Sequence, residues 1–236
     1  MTAGFQCWGD NGNFRQIDSN YRSLRMSQKS AVDTNQALWT SSTGQGGDGG
    51  IWYVGAVAVG GMYPIVAFRC NSYCFTFARY NSEGNWTWYF VTQGRAHVDF
   101  WVFNELPPVE SSNIGMQIFK EDGRTLVFDS NDKAAKIFDY WVYTGAALNV
   151  GQNVIRNMGA STWAVCHVQT VSLTSIGNTP NGPLQNTMVY ATSSIGSQFT
   201  LIALRPINGV PAVPGFPNQA AGFTSPSYLF LDVSGY

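Results

Sequence analysis

Charge is what this sequence has least of. Asp, Glu, Lys and Arg make up 11% of its 236 residues, less than half of the roughly 25% usual in soluble proteins. Thirteen basic residues against 14 acidic ones leave a net charge of −1. Without a basic excess there is little to neutralise a phosphate backbone, which argues against nucleic acid as a partner. No Lys/Arg cluster or basic amphipathic helix marks a membrane-surface segment. Long apolar runs are missing as well. The most apolar stretch, Val54 to Phe68, is interrupted by Gly55, Gly60, Gly61 and Pro64, and is too short to span a bilayer. The first residues, Met1-Thr2-Ala3-Gly4-Phe5-Gln6, lack the charged and then apolar regions of a secretory signal. The expectation is that no targeting segment precedes the repeat that begins at Gly4.

Cysteine and histidine are scarce, at four and two residues. Cys7, Cys70, Cys74 and Cys166 would stay reduced in a cytosol. Cys70 and Cys74 flank Asn71-Ser72-Tyr73 and could face each other across a tight hairpin, where a disulfide is conceivable if the geometry fits. A zinc site would need two further ligands, with only His97 and His167 to offer. Small thiols filling a core are the favoured reading.

Apolar residues reach 44% and aromatics 14%, so the chain can bury a core. The place of charge is taken by Gly, Ser, Thr, Asn and Gln. A neutral, hydrogen-bonding surface of that kind suits a subunit packed against others, because charges are costly to desolvate at an interface core.

The most informative feature is an internal duplication. GFQCWGDNGNFRQIDSNYRSLRM, from Gly4 to Met26, aligns without gaps on GMQIFKEDGRTLVFDSNDKAAKI, from Gly115 to Ile137. Identities fall at Gly4/Gly115, Gln6/Gln117, Gly12/Gly123, Asp18/Asp129, Ser19/Ser130 and Asn20/Asn131. Each copy reads as an apolar strand, a polar turn in which Gly12 or Gly123 supplies positive φ, and a return strand ending at Ile17 or Phe128. Asp-Ser-Asn follows as a turn whose side chains bond nearby backbone N–H groups. A third strand comes next, with Leu24 and Met26 alternating against Arg25. Further on, Trp52 and Trp163 keep the same offset. Val98 to Phe103 resembles Phe199 to Leu204 at a shorter offset, so a deletion is expected in the second copy. The last strand, near Tyr228 to Val233, has no evident counterpart in the first.

These signals predict an all-β chain of two tandem β-sandwich-like domains related by internal duplication. The N-terminal domain spans residues 1–108. The C-terminal domain spans 109–236 and carries a Pro/Gly-rich loop near 206–222. Pro107-Pro108 and the polar residues after them read as the linker. Trp86, Trp88 and Phe90 alternate along one strand, with Ser82-Glu83-Gly84-Asn85 as the turn before it. Pro64 to Phe68 is apolar on both faces, as in a central strand. One short turn of helix over 132–138 is the most helix the periodicity allows.

Catalytic chemistry is not legible. A Ser–His pair would need His97 or His167, both in apolar strand-like runs, and Gly159-Ala160-Ser161-Thr162-Trp163 lacks the closing Gly of a nucleophile elbow. Glu83, Asp99, Glu105, Glu110, Glu121 and Asp122 cannot be paired by spacing into a glycosidase site. The Gly-rich run Gly44 to Gly50 lacks the Lys-Ser/Thr of a phosphate loop, and a surface loop is the better reading. Asn85-Trp86-Thr87 fits a glycosylation sequon, but sequons are common and no secretion route is expected. Trp86 and Trp88 could form a sugar-stacking platform, but a sandwich core accounts for them more simply. No catalytic, cofactor-binding or metal-binding residue is assigned, and receptor-binding residues remain unassigned; no cofactor is expected.

The strand Phe100-Trp101-Val102-Phe103-Asn104, the Pro-containing link, Ile114-Gly115-Met116-Gln117-Ile118-Phe119, Gly123 and Phe128-Asp129-Ser130-Asn131 together resemble a block in small tail-tip and tail-fibre proteins of tailed bacteriophages. The first copy departs from it, with Ile17 in place of the Phe before Asp-Ser. With both copies counted, the resemblance covers about a quarter of the chain. It implies a non-enzymatic structural component of the virion tail, made in the bacterial host cytoplasm. The implied partners are other tail proteins, further copies of the chain in a homo-oligomer (a trimer favoured), and a host cell-surface receptor or glycan, with no nucleic acid and no membrane span. The alternatives are a carbohydrate-binding module or lectin, and a hydrolase with an unrecognised site. Loops Ser41 to Gly50 and Ile207 to Gly222 are the expected recognition elements, since loops on a rigid scaffold carry variable contacts.

Overall fold

The computed structural model describes residues 4–8, 14–18, 24–39, 52–104, 117–119, 126–129, 133–159, 162–169, 172–179, 182–211, 225–234 and 236. All of its regular structure is β. The first copy supplies β1 (Gly4–Trp8), β2 (Phe14–Asp18), β3 (Arg25–Asp33), β4 (Gln36–Trp39), β5 (Trp52–Gly60), β6 (Ile65–Cys70), β7 (Cys74–Ser82), β8 (Asn85–Gln93) and β9 (His97–Asn104). The second supplies β10 (Gln117–Phe119), β11 (Leu126–Asp129), β12 (Ile137–Val142), β13 (Asn153–Asn157), β14 (Trp163–Gln169), β15 (Ser172–Thr179), β16 (Gly182–Ile195), β17 (Gln198–Pro211) and β18 (Ser227–Asp232).

β1 and β2 pair antiparallel with Gly4 opposite Asp18 and Gln6 opposite Gln16; β10 and β11 are their counterparts, shifted by two residues in register, with Gln117 opposite Asp129. These are the duplicated strand pairs expected from the sequence; their connecting turns lie outside the described residues. The remaining strands build two sheets. The smaller has the order β12-β18-β14-β6-β9-β3, and the larger runs β13-β17-β16-β7-β8-β5-β4, with β15 added against β16.

Read from the middle outwards, both orders are nearly palindromic. β6, β9 and β3 on one side mirror β14, β18 and β12 on the other, while β7, β8 and β5 mirror β16, β17 and β13. The two copies are therefore related by a pseudo-two-fold axis. They join edge to edge twice, at Phe68 opposite Val165 and at Cys74 opposite Thr192, both antiparallel. Each sheet continues from the first copy into the second across the expected 108/109 boundary, which itself lies outside the described residues. The pairing has a plain cause. Alone, the first copy would leave β6 and β7, and the second β14 and β16, as open sheet edges with unpaired backbone groups.

This topology changes two of the expected correspondences. The counterpart of β9 is β18, whereas the resemblance of Val98–Phe103 to Phe199–Leu204 matches β9 to β17, a strand of the other sheet. The final strand thus has a partner in the first copy. The copies differ by insertion: the three-residue link 94–96 before β9 is replaced by residues 212–226 before β18, and β4 and β15 are unmatched additions. Likewise Trp52 opens β5 in the larger sheet and Trp163 opens β14 in the smaller, so their shared offset does not reflect equivalent places. Short apolar runs with period two look alike whichever sheet they join, which is why spacing misled here. The turn of helix considered over 132–138 is absent too from its described residues, 133–138. Ala134 bridges Arg25 and Ile137 already belongs to β12.

The principal core lies between the sheets. Phe68, Phe100, Val165 and Phe230 from the smaller sheet meet Phe90, Tyr190, Phe199 and Leu201 from the larger. The rings interlock edge to face, as with Phe199 and Phe230 at 5.0 Å and Phe68 and Phe90 at 5.7 Å, the geometry that their quadrupoles favour. Both outer faces are also partly buried. Ala67, Trp101, Phe103 and Cys166 cluster behind the smaller sheet, and Trp52, Phe75, Val91 and Ile202 behind the larger. β6 is accordingly buried on both faces, as the run from Pro64 to Phe68 predicts.

Candidate functional surfaces

His167 sits at the join of the two copies. It lies two residues along β14 from Val165, where β14 meets β6, and faces inward between Phe68, at 4.9 Å, and Tyr228, at 5.3 Å. Its Nε2 lies 2.9 Å from the Thr192 hydroxyl on β16, and its Nδ1 lies 3.4 Å from that of Thr76 on β7. One ring thereby ties together strands of both sheets and both copies. Burial alone drives its pKa down to about 3, so it is neutral at ordinary pH. A neutral imidazole beside a threonine hydroxyl has the elements of a nucleophile–base pair. However, His167, Thr76 and Thr192 are all buried. The arrangement is a structural strut.

His97 is the opposite case. It opens β9 on the surface, with Nδ1 2.7 Å from Asp33 and Nε2 3.6 Å from Asp99. The hydrogen bond to Asp33 raises its pKa. Of the carboxylates considered for a glycosidase, Asp99 flanks this histidine and Glu83 occupies the β7–β8 turn. Glu105, Glu110, Glu121 and Asp122 lie outside the described residues, as do Gly44–Gly50 and Ser161. Among the described residues no group of three or more His, Cys, Asp or Glu side chains could hold a metal ion.

Cys70 and Cys74 are buried free thiols. They do not face each other across a hairpin, as the short spacing suggested. Cys70 ends β6 in the smaller sheet, Cys74 begins β7 in the larger, and residues 71–73 cross between the sheets. Two strands four residues apart can belong to different layers when the link turns a corner, and sequence spacing cannot distinguish the two cases. Cys166 lies on the outer face of the smaller sheet, where burial pushes its thiol up to about 12.

Apart from Phe77, Val168 and Ile195, the large exposed apolar side chains among the described residues fall into two places. At one end of the sandwich, the β5–β6 link and the β7–β8 hairpin meet through a hydrogen bond from Gly61 N–H to the Gly84 carbonyl. Met62 and Tyr63 project there, with Tyr63 78% exposed. Tyr80 packs edge-on against Trp86 at 5.1 Å, and the Trp86 indole donates to the Gly61 carbonyl. Trp86 and Trp88 are half-buried against the principal core, which bears out the core reading of the Trp stripe for most of their surface. Asn85, at the same tip, donates to Ser82 and to the Glu83 carbonyl.

The second place is the lateral edge formed by β12. Ile137, Phe138 and Tyr140 are exposed along it; Ile155 is exposed on the neighbouring edge β13, on the side of that strand away from Arg156. Arg156 of β13 spans the sheets at this edge. It pairs with Asp139 at 2.7 Å and lies over the rings of Trp141 and Phe230 at 5.8 and 5.7 Å. The opposite edge, β3, carries Arg25, Gln28 and Lys29 instead. Of the two expected recognition loops, Ser41–Gly50 lies outside the described residues. Ile207 to Pro211 are the end of β17, with the rest of that loop outside them.

Comparison with known proteins adds no assignment: no family model, no curated protein and no solved structure matches this chain.

Proposed function

We propose that this chain is a structural subunit of a phage tail tip or fibre, assembling into the virion and contacting the host surface. The observation that carries the assembly is the β12 edge. It sets Ile137, Phe138 and Tyr140 in water on an edge strand whose outer side has no partner strand among the described residues, a feature that isolated soluble proteins usually blunt with charge or proline. The low charge of the whole chain points the same way, since such faces lose little on desolvation. The resemblance of the duplicated hairpin blocks to tail proteins supplies the setting. A closed symmetric homo-oligomer, with a trimer preferred, multiplies weak receptor contacts through effective concentration.

Light scattering on the purified chain tests this reading. A stable oligomer that Tyr140→Lys dissociates is the expected result, and a wild-type monomer at every concentration would remove the argument from β12. A lectin-like reading has its own observation, the exposed Tyr63 and Tyr80 at the tip where Tyr80 rests on the half-buried Trp86, because exposed aromatic faces stack on sugar rings. Glycan binding lost in Trp86→Ala, with the oligomeric state unchanged, would favour it.

A further inference from the structure

We infer that Cys70 and Cys74 are a disulfide-forming pair whose closure clamps the smaller sheet to the larger at the crossover of the first copy. The argument starts from placement. Both side chains point into the principal core, from the last residue of β6 and the first residue of β7. The backbone on either side is held: Cys70 pairs with Val98 of β9, Cys74 with Thr92 of β8 and with Thr192 of β16. The link between them is fastened as well. The Ser72 hydroxyl donates to the Gln93 carbonyl at 2.6 Å, and Gln93 N–H donates to the Tyr73 carbonyl at 3.0 Å. The two thiols therefore share one corner of the principal core, on backbone held on both sides, and each shifts the pKa of the other.

Their chemistry is divided. The neighbouring Cys74 side chain lowers the pKa of Cys70, aided by a backbone contact at Ser72 and the nearby charge of His97, against burial and Asp99. Burial and the Cys70 neighbour hold Cys74 protonated. Cys70 is thus the attacking thiol and Cys74 the resolving one, since the thiolate is the nucleophile in exchange. Cys166 has no such partner, and burial keeps it a thiol.

The oxidant is a low-molecular-weight disulfide. The Cys70 thiolate attacks one of its sulfurs, forming a mixed disulfide and expelling one small thiolate. Cys74 loses its proton and attacks the Cys70 sulfur, which releases the second small thiol. The protein gives up two hydrogens and two electrons, and the small disulfide becomes two thiols. Because both sulfurs are buried, the first attack requires the 71–73 link to open, so the reaction is slow in the native state.

The test uses the native full-length chain incubated with oxidised glutathione, followed by intact mass and peptide mapping. The expected result is loss of two hydrogens, a peptide crosslinked between Cys70 and Cys74, the same crosslink in Cys166→Ser and none in Cys70→Ser. Tm should rise by about 5 °C on closure and return on reduction, the modest gain expected of a very short loop in a chain of this size. Retention of all thiols, a crosslink involving Cys7 or Cys166, a stable glutathione adduct or an unchanged Tm would each overturn the inference. Should Cys70→Ser fail to fold, the crosslink map of the wild-type chain decides alone.

Discussion

Acidification should weaken this protein through a single side chain. His167 is held neutral by burial, with a pKa of about 3 in the folded chain against about 6.5 when unfolded. Between those values the unfolded chain binds a proton that the folded chain refuses. Stability from His167 is therefore complete above pH 6.5 and declines as pH falls through the window. From pH 7 to pH 5 the loss is about 2 kcal/mol, at 1.36 kcal/mol for each unit below the unfolded pKa. For a chain of this length that is a fall in Tm of about 4–8 °C. His97 acts in the opposite sense, because Asp33 raises its pKa. Its stabilisation is present at low pH and fades as pH rises through its folded pKa, and exposure to solvent keeps it small. Asp232, whose pKa is lowered by Ser234, loses its contribution only below the range considered. Chemical denaturation at pH 5, 6 and 7, on wild type and His167→Gln, isolates the effect. Gln keeps a polar group near Thr192 but cannot take a proton, so the variant starts weaker and should lose the slope. An equal slope in the variant, or a flat wild-type profile, would refute the reasoning. So would an NMR titration showing the His167 ring protonating near pH 6.

Two further perturbations follow from the packing. Phe230 is fully buried against Trp163 and Phe199, so Phe230→Ala should lower the unfolding free energy by about 3–5 kcal/mol, read from denaturant midpoints. Gly61 and Gly84 both have positive φ, at 112° and 69°, but a Cβ on Gly61 would lie 2.3 Å from Asn104 Oδ1 while one on Gly84 meets open space. Gly84→Ala should cost about 1 kcal/mol and Gly61→Ala at least 1 kcal/mol more, with the excess reduced in the Gly61→Ala, Asn104→Ala double variant.

The sequence by itself carried the class of fold and the fact of duplication. Low charge, frequent Gly and period-two apolar runs such as Trp86-Thr87-Trp88-Tyr89-Phe90 leave no stable alternative to sheets. The antiparallel strand pairs ending at Asp18 and Asp129 recur in both copies, with registers that differ by two residues. Tertiary structure decided how the copies combine. Whether β6 pairs with β14, or β18 answers to β9, depends on which edges need covering, and strands of similar composition offer no local record of their partners. The same holds for the sites. That His167 is a buried strut and His97 an exposed ion pair follows from the face of the sheet each occupies, and a one-residue change of register reverses that face. Cys70 and Cys74 were visible as a close pair in the sequence. Only the crossing of the chain from one sheet to the other makes them a candidate clamp between layers.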